Sequence, residues 1–115
     1  MLLKEVVEIL KADVIHMENP DTEILAACGS DMMSDALAFV KDQAMLLTGL
    51  VNVQTIRTAE MLDMNCVVFI RGKIPGDDII ALAKARGISI LSTKHRMFTA
   101  CGRLYVAGLG GGGDE

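Results

Sequence analysis

Leu3, Val6, Val7 and Leu10 fall at i, i+3, i+4 and i+7 with charged residues between them, so the pattern predicts a helix over residues 2–11 with one apolar stripe. Asp13 to His16 reads as a short extended piece, and Asn19-Pro20-Asp21 as a turn, because proline fixes φ while Asn and Asp bond the local backbone. A strand begins near Ile24 and stops at Gly29-Ser30-Asp31. Met33, Leu37 and Val40 then repeat at helical spacing and predict a helix from Met33 to Asp42. Ala44 to Thr48 returns to a buried strand ending at Gly49. Asn52 has the side chain of an N-cap for a helix over 53–63, in which Ile56, Ala59 and Leu62 lie about one turn apart. Val67-Val68-Phe69-Ile70 is apolar throughout and rich in β-branched residues, the clearest strand in the chain.

Residues 71–76 form a loop containing Pro-Gly. Asp77 or Asp78 opens the next helix, with Ile79, Leu82 and Ala83 inward and Lys84 and Arg86 near its negative end. Gly87 suits the C-cap, where positive φ is easiest for glycine. Ile88 to Leu91 is a further strand, and Ser92-Thr93 is expected to cap a last helix that fades near Gly102. Wholly apolar strands alternating with amphipathic helices indicate an α/β protein, a three-layer α/β/α sandwich with a mainly parallel sheet, formed by residues 1–106. The remaining residues, 107–115, are mostly glycine, offer little to bury, and are expected to be flexible without a role in the fold.

The chain has 115 residues, of which 51% are apolar and 23% charged, enough for one core-bearing domain. Its net charge of −4 and scarcity of aromatic residues, with no Trp, argue against a nucleic-acid partner. Apolar runs such as Ile24 to Cys28 are far shorter than the roughly 20 residues that span a bilayer. The amphipathic start lacks the pattern of a signal peptide, and three widely spaced cysteines suit buried thiols in a reducing compartment, so a cytoplasmic location without membrane contact is expected. A mean hydropathy of +0.40 in so small a domain leaves apolar surface to cover, which predicts a homodimer.

Candidate chemistry is sparse. The phosphate-binding Gly-x4-Gly-Lys-Ser/Thr motif does not occur, and the glycines of 108–113 neither follow a strand nor open a helix. Cysteines and histidines lack the close local pairs that zinc prefers, and a nucleophilic cysteine would need the fold to bring it to His16 or His95. No metal, cofactor or catalytic residue is therefore expected. Methionines are plentiful; Met32 and Met33 stand out because they sit where the chain turns over the strand ends.

The chemically interesting place is the edge where parallel strands end: Gly29, Ser30 and Asp31, then Thr48 and Gly49, Arg71 and Gly72, and Ser92 and Thr93. These residues form a candidate ligand-binding rim, with Arg71 as the anion partner. The competing reading makes them turn and cap residues only, with Asp31 as the N-cap of the helix that follows it.

Taken together, Gly29-Ser30-Asp31-Met32-Met33-Ser34-Asp35, Leu47-Thr48-Gly49, Ala59-x-Met61 through Ile70, Ile79 to Ala83, Gly87 to Leu91 and Thr93 resemble the DRTGG domain family, which is similar to the N-terminal domain of HPr kinase/phosphorylase. The likeness covers about residues 1 to 106. The naming pentad is absent, and Thr48-Gly49-Leu50-Val51-Asn52 stands in its place. The resemblance implies a non-catalytic regulatory domain, of the kind found beside CBS domains in pyrophosphatases and within some phosphotransacetylases, that dimerises and modulates a partner protein. The alternative function is a sensing domain for an anionic metabolite or nucleotide bound at the rim.

Overall fold

A computed structural model describes residues 1–37 and 44–111. The elements run α1 (Leu3–Leu10), β1 (Asp13–His16), β2 (Ala26–Gly29), α2 (Met33–Leu37), β3 (Ala44–Thr48), α3 (Val53–Met61), β4 (Cys66–Phe69), α4 (Asp77–Arg86), β5 (Ser89–Ser92) and α5 (Met97–Val106). The second half of the helix expected over Met33 to Asp42 lies outside the described residues.

The strands form one sheet in the order β1-β5-β4-β3-β2. β2, β3, β4 and β5 are parallel neighbours, while β1 runs antiparallel along β5 with a register shift between Val14 and His16. Every residue of β3, β4 and β5 is buried. Alternate side chains therefore enter two separate cores. On one face Met45, Leu47, Cys66, Val68 and Leu91 meet Leu3, Val6 and Leu10 of α1 and Ala100 and Leu104 of α5. On the other, Leu46, Val67, Phe69 and Ile90 meet Ala36 of α2, Ile56 and Ala59 of α3, and Ile79 and Ala83 of α4. The expected three-layer sandwich is thus the observed one.

Local signals worked where side chains bond their own turn. The Asn52 side chain accepts from the Thr55 amide at 3.0 Å, and Gly87 closes α4 at φ 70°. The expected cap at Ser92-Thr93 is corrected. Ser92 ends β5 and its hydroxyl donates to the Lys73 carbonyl at 2.7 Å, while the buried Thr93 hydroxyl donates to the Leu10 carbonyl at 2.8 Å. Long-range acceptors have claimed both groups, so α5 begins later, after Arg96. It also continues through Gly102 to Val106, since Ala100 and Leu104 anchor it on either side of the glycine.

Residues 107–111 also depart from expectation by taking part in the fold. Gly108, at φ 107°, turns the chain back after α5. Leu109 is then only 5% exposed beside Leu104, and the Gly110 carbonyl accepts from the Ala27 amide at 3.0 Å on the outer edge of β2. One apolar side chain among glycines suffices to anchor the segment, and it covers a strand edge that would otherwise be open. Leu109→Ser is expected to lower stability by about 1.5–3 kcal/mol, the value of burying one large aliphatic side chain. It should also speed hydrogen exchange at the Ala27 amide; an unchanged thermal midpoint and exchange rate would show that the segment contributes nothing.

Candidate functional site

Because β2 to β5 are parallel, Gly29, Thr48, Phe69 and Ser92 all end at one edge of the sheet. The structure brings the expected rim loops together there, but commits most of their polar atoms to the protein itself. The Asp31 carboxylate accepts from the Gly49 amide at 2.6 Å and from the Thr48 hydroxyl at 3.2 Å. Asp31 thus caps the exit of β3 instead of α2, which corrects the N-cap expectation. The Thr48 hydroxyl in turn accepts from the Leu50 amide. The Ser30 amide continues the pairing with β3 by donating to the Leu47 carbonyl, and its hydroxyl bonds its own turn by accepting from the Met32 amide.

Gly29 and Gly49 are glycines because other atoms approach closely. A β-carbon at 29 would lie 2.6 Å from Cys101 Sγ, and one at 49 would lie 2.7 Å from Arg71 Nη2 and 3.3 Å from Asp31 Oδ1. Gly29 is therefore a seat for α5 and not a ligand contact. Ser92 and Thr93 are buried and their hydroxyl protons go to the Lys73 and Leu10 carbonyls, while the Thr93 hydroxyl also accepts from the His95 amide, so both are spent within the protein. Met32 is exposed above it and Met33 half-buried.

Arg71 and Gly72 are where the rim gains chemistry. Both have left-handed φ, 58° and 69°, and their amides donate to the His95 and Thr93 carbonyls, each at 2.8 Å. A left-handed conformation costs an ordinary residue about 1–2 kcal/mol, so these cross-loop bonds hold Arg71 where its chain alone would not. The bonds tie the loop after β4, which carries Arg71 and Lys73, to the loop after β5, which carries Lys94 and Arg96; Arg71 Nη2 and Lys73 Nζ both lie at Gly49, and Lys94 Cγ lies beside Gly72. Lys73 Nζ donates to the Gly49 carbonyl at 2.7 Å, a neutral acceptor that leaves its charge uncompensated. Among the described residues, none of these four bases forms an ion pair. Acidic neighbours are Asp31 and Asp13, the latter in register with Ser92.

Topology gives this spot further weight. The loop after β4 leads to α4 on one face of the sheet, and the loop after β5 leads to α5 on the opposite face. Adjacent connections that diverge in this way open a crevice at the strand ends, the usual ligand position in open parallel sheets. α4 opens on Asp77 and Asp78, which complement its own dipole, whereas α5 opens on Arg96 with no side-chain cap and no acid in its first turn. The sequence reading picked out Arg71 but missed Lys73, Lys94 and Arg96. Their spacing, Arg-Gly-Lys and Lys-His-Arg about twenty residues apart, carries a signal only once β4 and β5 are known to be adjacent.

The thiols sit in apolar surroundings. Burial pushes the Cys66 thiol far up and raises those of Cys28 and Cys101; nearby Cys101 and Asp35 add to the shift at Cys28. Cys101 donates to Met97 Sδ at 3.7 Å, and among the described residues no cysteine bonds a histidine and no three metal-ligating side chains gather. A thiol raised in the folded state contributes stability below its unfolded pKa of about 8.5 and loses it as pH climbs through the folded value. Stability is therefore expected to fall above about pH 8.5, and Cys66→Ala should flatten that fall. Equal alkaline slopes for the two proteins in urea melts would refute this.

Removing the Asp31 carboxylate leaves the Gly49 amide and Thr48 hydroxyl without their acceptor. Asp31→Ala is expected to destabilise by about 1–3 kcal/mol, and Asp31→Asn by less, since an amide oxygen still accepts. Urea melts in which the two variants match the unchanged protein would remove Asp31 from its capping role.

No family model and no curated protein matches the chain. Among solved structures, the CBS and DRTGG domains of the regulatory region of Clostridium perfringens pyrophosphatase, in complex with the activator diadenosine tetraphosphate, align with a TM-score of 0.73 at 20% identity. The alignment covers 90% of this chain and 45% of that one, so this chain spans less than half the length of the structure it matches. At such identity the likeness is one of fold: the chain is folded like part of a regulatory region that contains a DRTGG domain, the family its sequence resembles.

Proposed function

We propose that this chain is a non-catalytic regulatory domain of a reducing, cytoplasmic compartment that takes an anionic, phosphate-bearing small molecule at its strand-end rim, dimerises and modulates a partner protein. The observation carrying the ligand reading is that two bonded loops, at the divergence of the β4 and β5 connections, carry Arg71 and Lys73 on one and Lys94 and Arg96 on the other, in a protein whose net charge is −4. A ligand with several phosphates suits bases spread over two loops better than a lone carboxylate does. The regulatory region that shares this fold is held with a nucleotide of four phosphates, which supports the same class of ligand. Affinity is modest, because Asp31 already occupies the nearest amide and the bases are exposed to water and salt.

A second reading, an assembly domain without a ligand, is favoured by the same Asp31, which fills the Gly49 amide as an anion would.

NMR titration with pyrophosphate, ATP and diadenosine tetraphosphate separates the two. Sensing predicts amide shifts concentrated at 71–73 and 94–98, weaker binding as salt rises, and an affinity loss of about tenfold, or 1.4 kcal/mol, for Arg71→Ala. Spectra that stay flat at millimolar ligand would leave the assembly role alone.

A further inference from the structure

The outer side of α5 carries exposed apolar side chains that no element among the described residues covers. Phe98 is 90% exposed and Val106 88% exposed, values unusual for large apolar side chains on a helix. Each lies four residues from Gly102, one on either side. A β-carbon at Gly102 would meet nothing within 4 Å, so the helix has a notch flanked at equal distance by two apolar knobs. Between α5 and α1 this surface forms a shallow groove of about 620 Å³. Its walls include Ile9, the base Arg103 and the acid Glu8. Neither charge has an ion-pair partner among the described residues; Arg103 only reaches the Ile9 carbonyl, at 3.5 Å.

We propose that this face binds a second copy of the chain, with the two α5 helices packed antiparallel and crossing at Gly102. The surface carries both halves of each complementary pair, knob and notch, base and acid. A copy turned about a two-fold axis through Gly102 supplies each half to the other. The small residue at the crossing lets the helix backbones approach, and antiparallel packing sets Phe98 of one copy beside Val106 of its partner. Across the same axis Arg103 faces the acidic wall that holds Glu8. Phe98, a large aromatic side chain next to an empty notch, is the anchor of the contact. The inference rests on the homodimer reading above and adds the face and the symmetry to it.

Light scattering and sedimentation on the full chain at tens of micromolar test it, with Phe98→Ser, Gly102→Gln and, as a control on another exposed apolar residue, Met61→Ser. The expected result is a mass of twice 12.3 kDa for the unchanged protein and for Met61→Ser, and a shift to 12.3 kDa for the other two. Gly102→Gln replaces a helix-interior glycine with a better helix former, so its isolated chain should melt no lower than the unchanged protein dissociated by dilution. That comparison separates lost association from lost folding. An unchanged protein that is monomeric overturns the homodimer reading and this inference together. Phe98→Ser and Gly102→Gln that stay dimeric overturn the face alone and leave the dimer standing.

Discussion

The wholly apolar strands β3, β4 and β5 impose the constraint on which the rest of the molecule depends. Their residues are buried on both faces, with Leu46, Val67, Phe69 and Ile90 pointing one way and Met45, Leu47, Val68 and Leu91 the other. A sheet of this kind needs a helical layer on each side, because each face carries one of the two buried cores and leaving either in water would expose it. The crossover helices α2, α3 and α4 cover one face. The other face is left to the two ends of the domain, α1 and α5, joined where the Thr93 hydroxyl reaches across to the Leu10 carbonyl.

The rim is a by-product of that division. The chain must change faces once as it leaves the parallel strands, and it does so between β4 and β5. The change draws apart the two connections, while the bonds from Arg71 and Gly72 to His95 and Thr93 keep their loops in contact. Two bonded loops carry four bases as a result. Asp31 works in the opposite sense nearby, its carboxylate closing the β3 exit. The Asp31 carboxylate, Arg71 Nη2 and Lys73 Nζ therefore converge on Gly49 at the β3 exit, while Lys94 and Arg96 follow β5, and none of the four bases forms an ion pair among the described residues.

Covering the second face with only two helices has its own consequence. α1 and α5 bury one side each against the sheet and against one another, and the outer side of α5 keeps Phe98 and Val106 in water. The same helix thus begins at the basic rim, packs the core through Ala100 and Leu104, and carries the most exposed apolar residues of the described chain.

The sequence by itself determined the layer architecture, because binary patterning and strand composition act locally: the β4 run from Cys66 to Phe69, the Asn52 cap and the Gly87 stop were all legible from a few neighbouring residues. Its DRTGG resemblance pointed to the fold that the pyrophosphatase regulatory region shares. Tertiary structure alone decided how polar groups with a choice of partners were spent. Asp31 could cap its own helix or a distant loop, and the parallel pairing of β2 with β3 put the Gly49 amide within reach. Ser92 and Thr93 had the side chains of helix caps, but burial gave them carbonyls from Lys73 and Leu10. Leu109 looked like part of a loose tail until the turn at Gly108 brought it to the core beside Leu104. A hydrogen bond or a buried methyl is worth the same whether its partner is three residues away or eighty, and a linear pattern displays only the first kind.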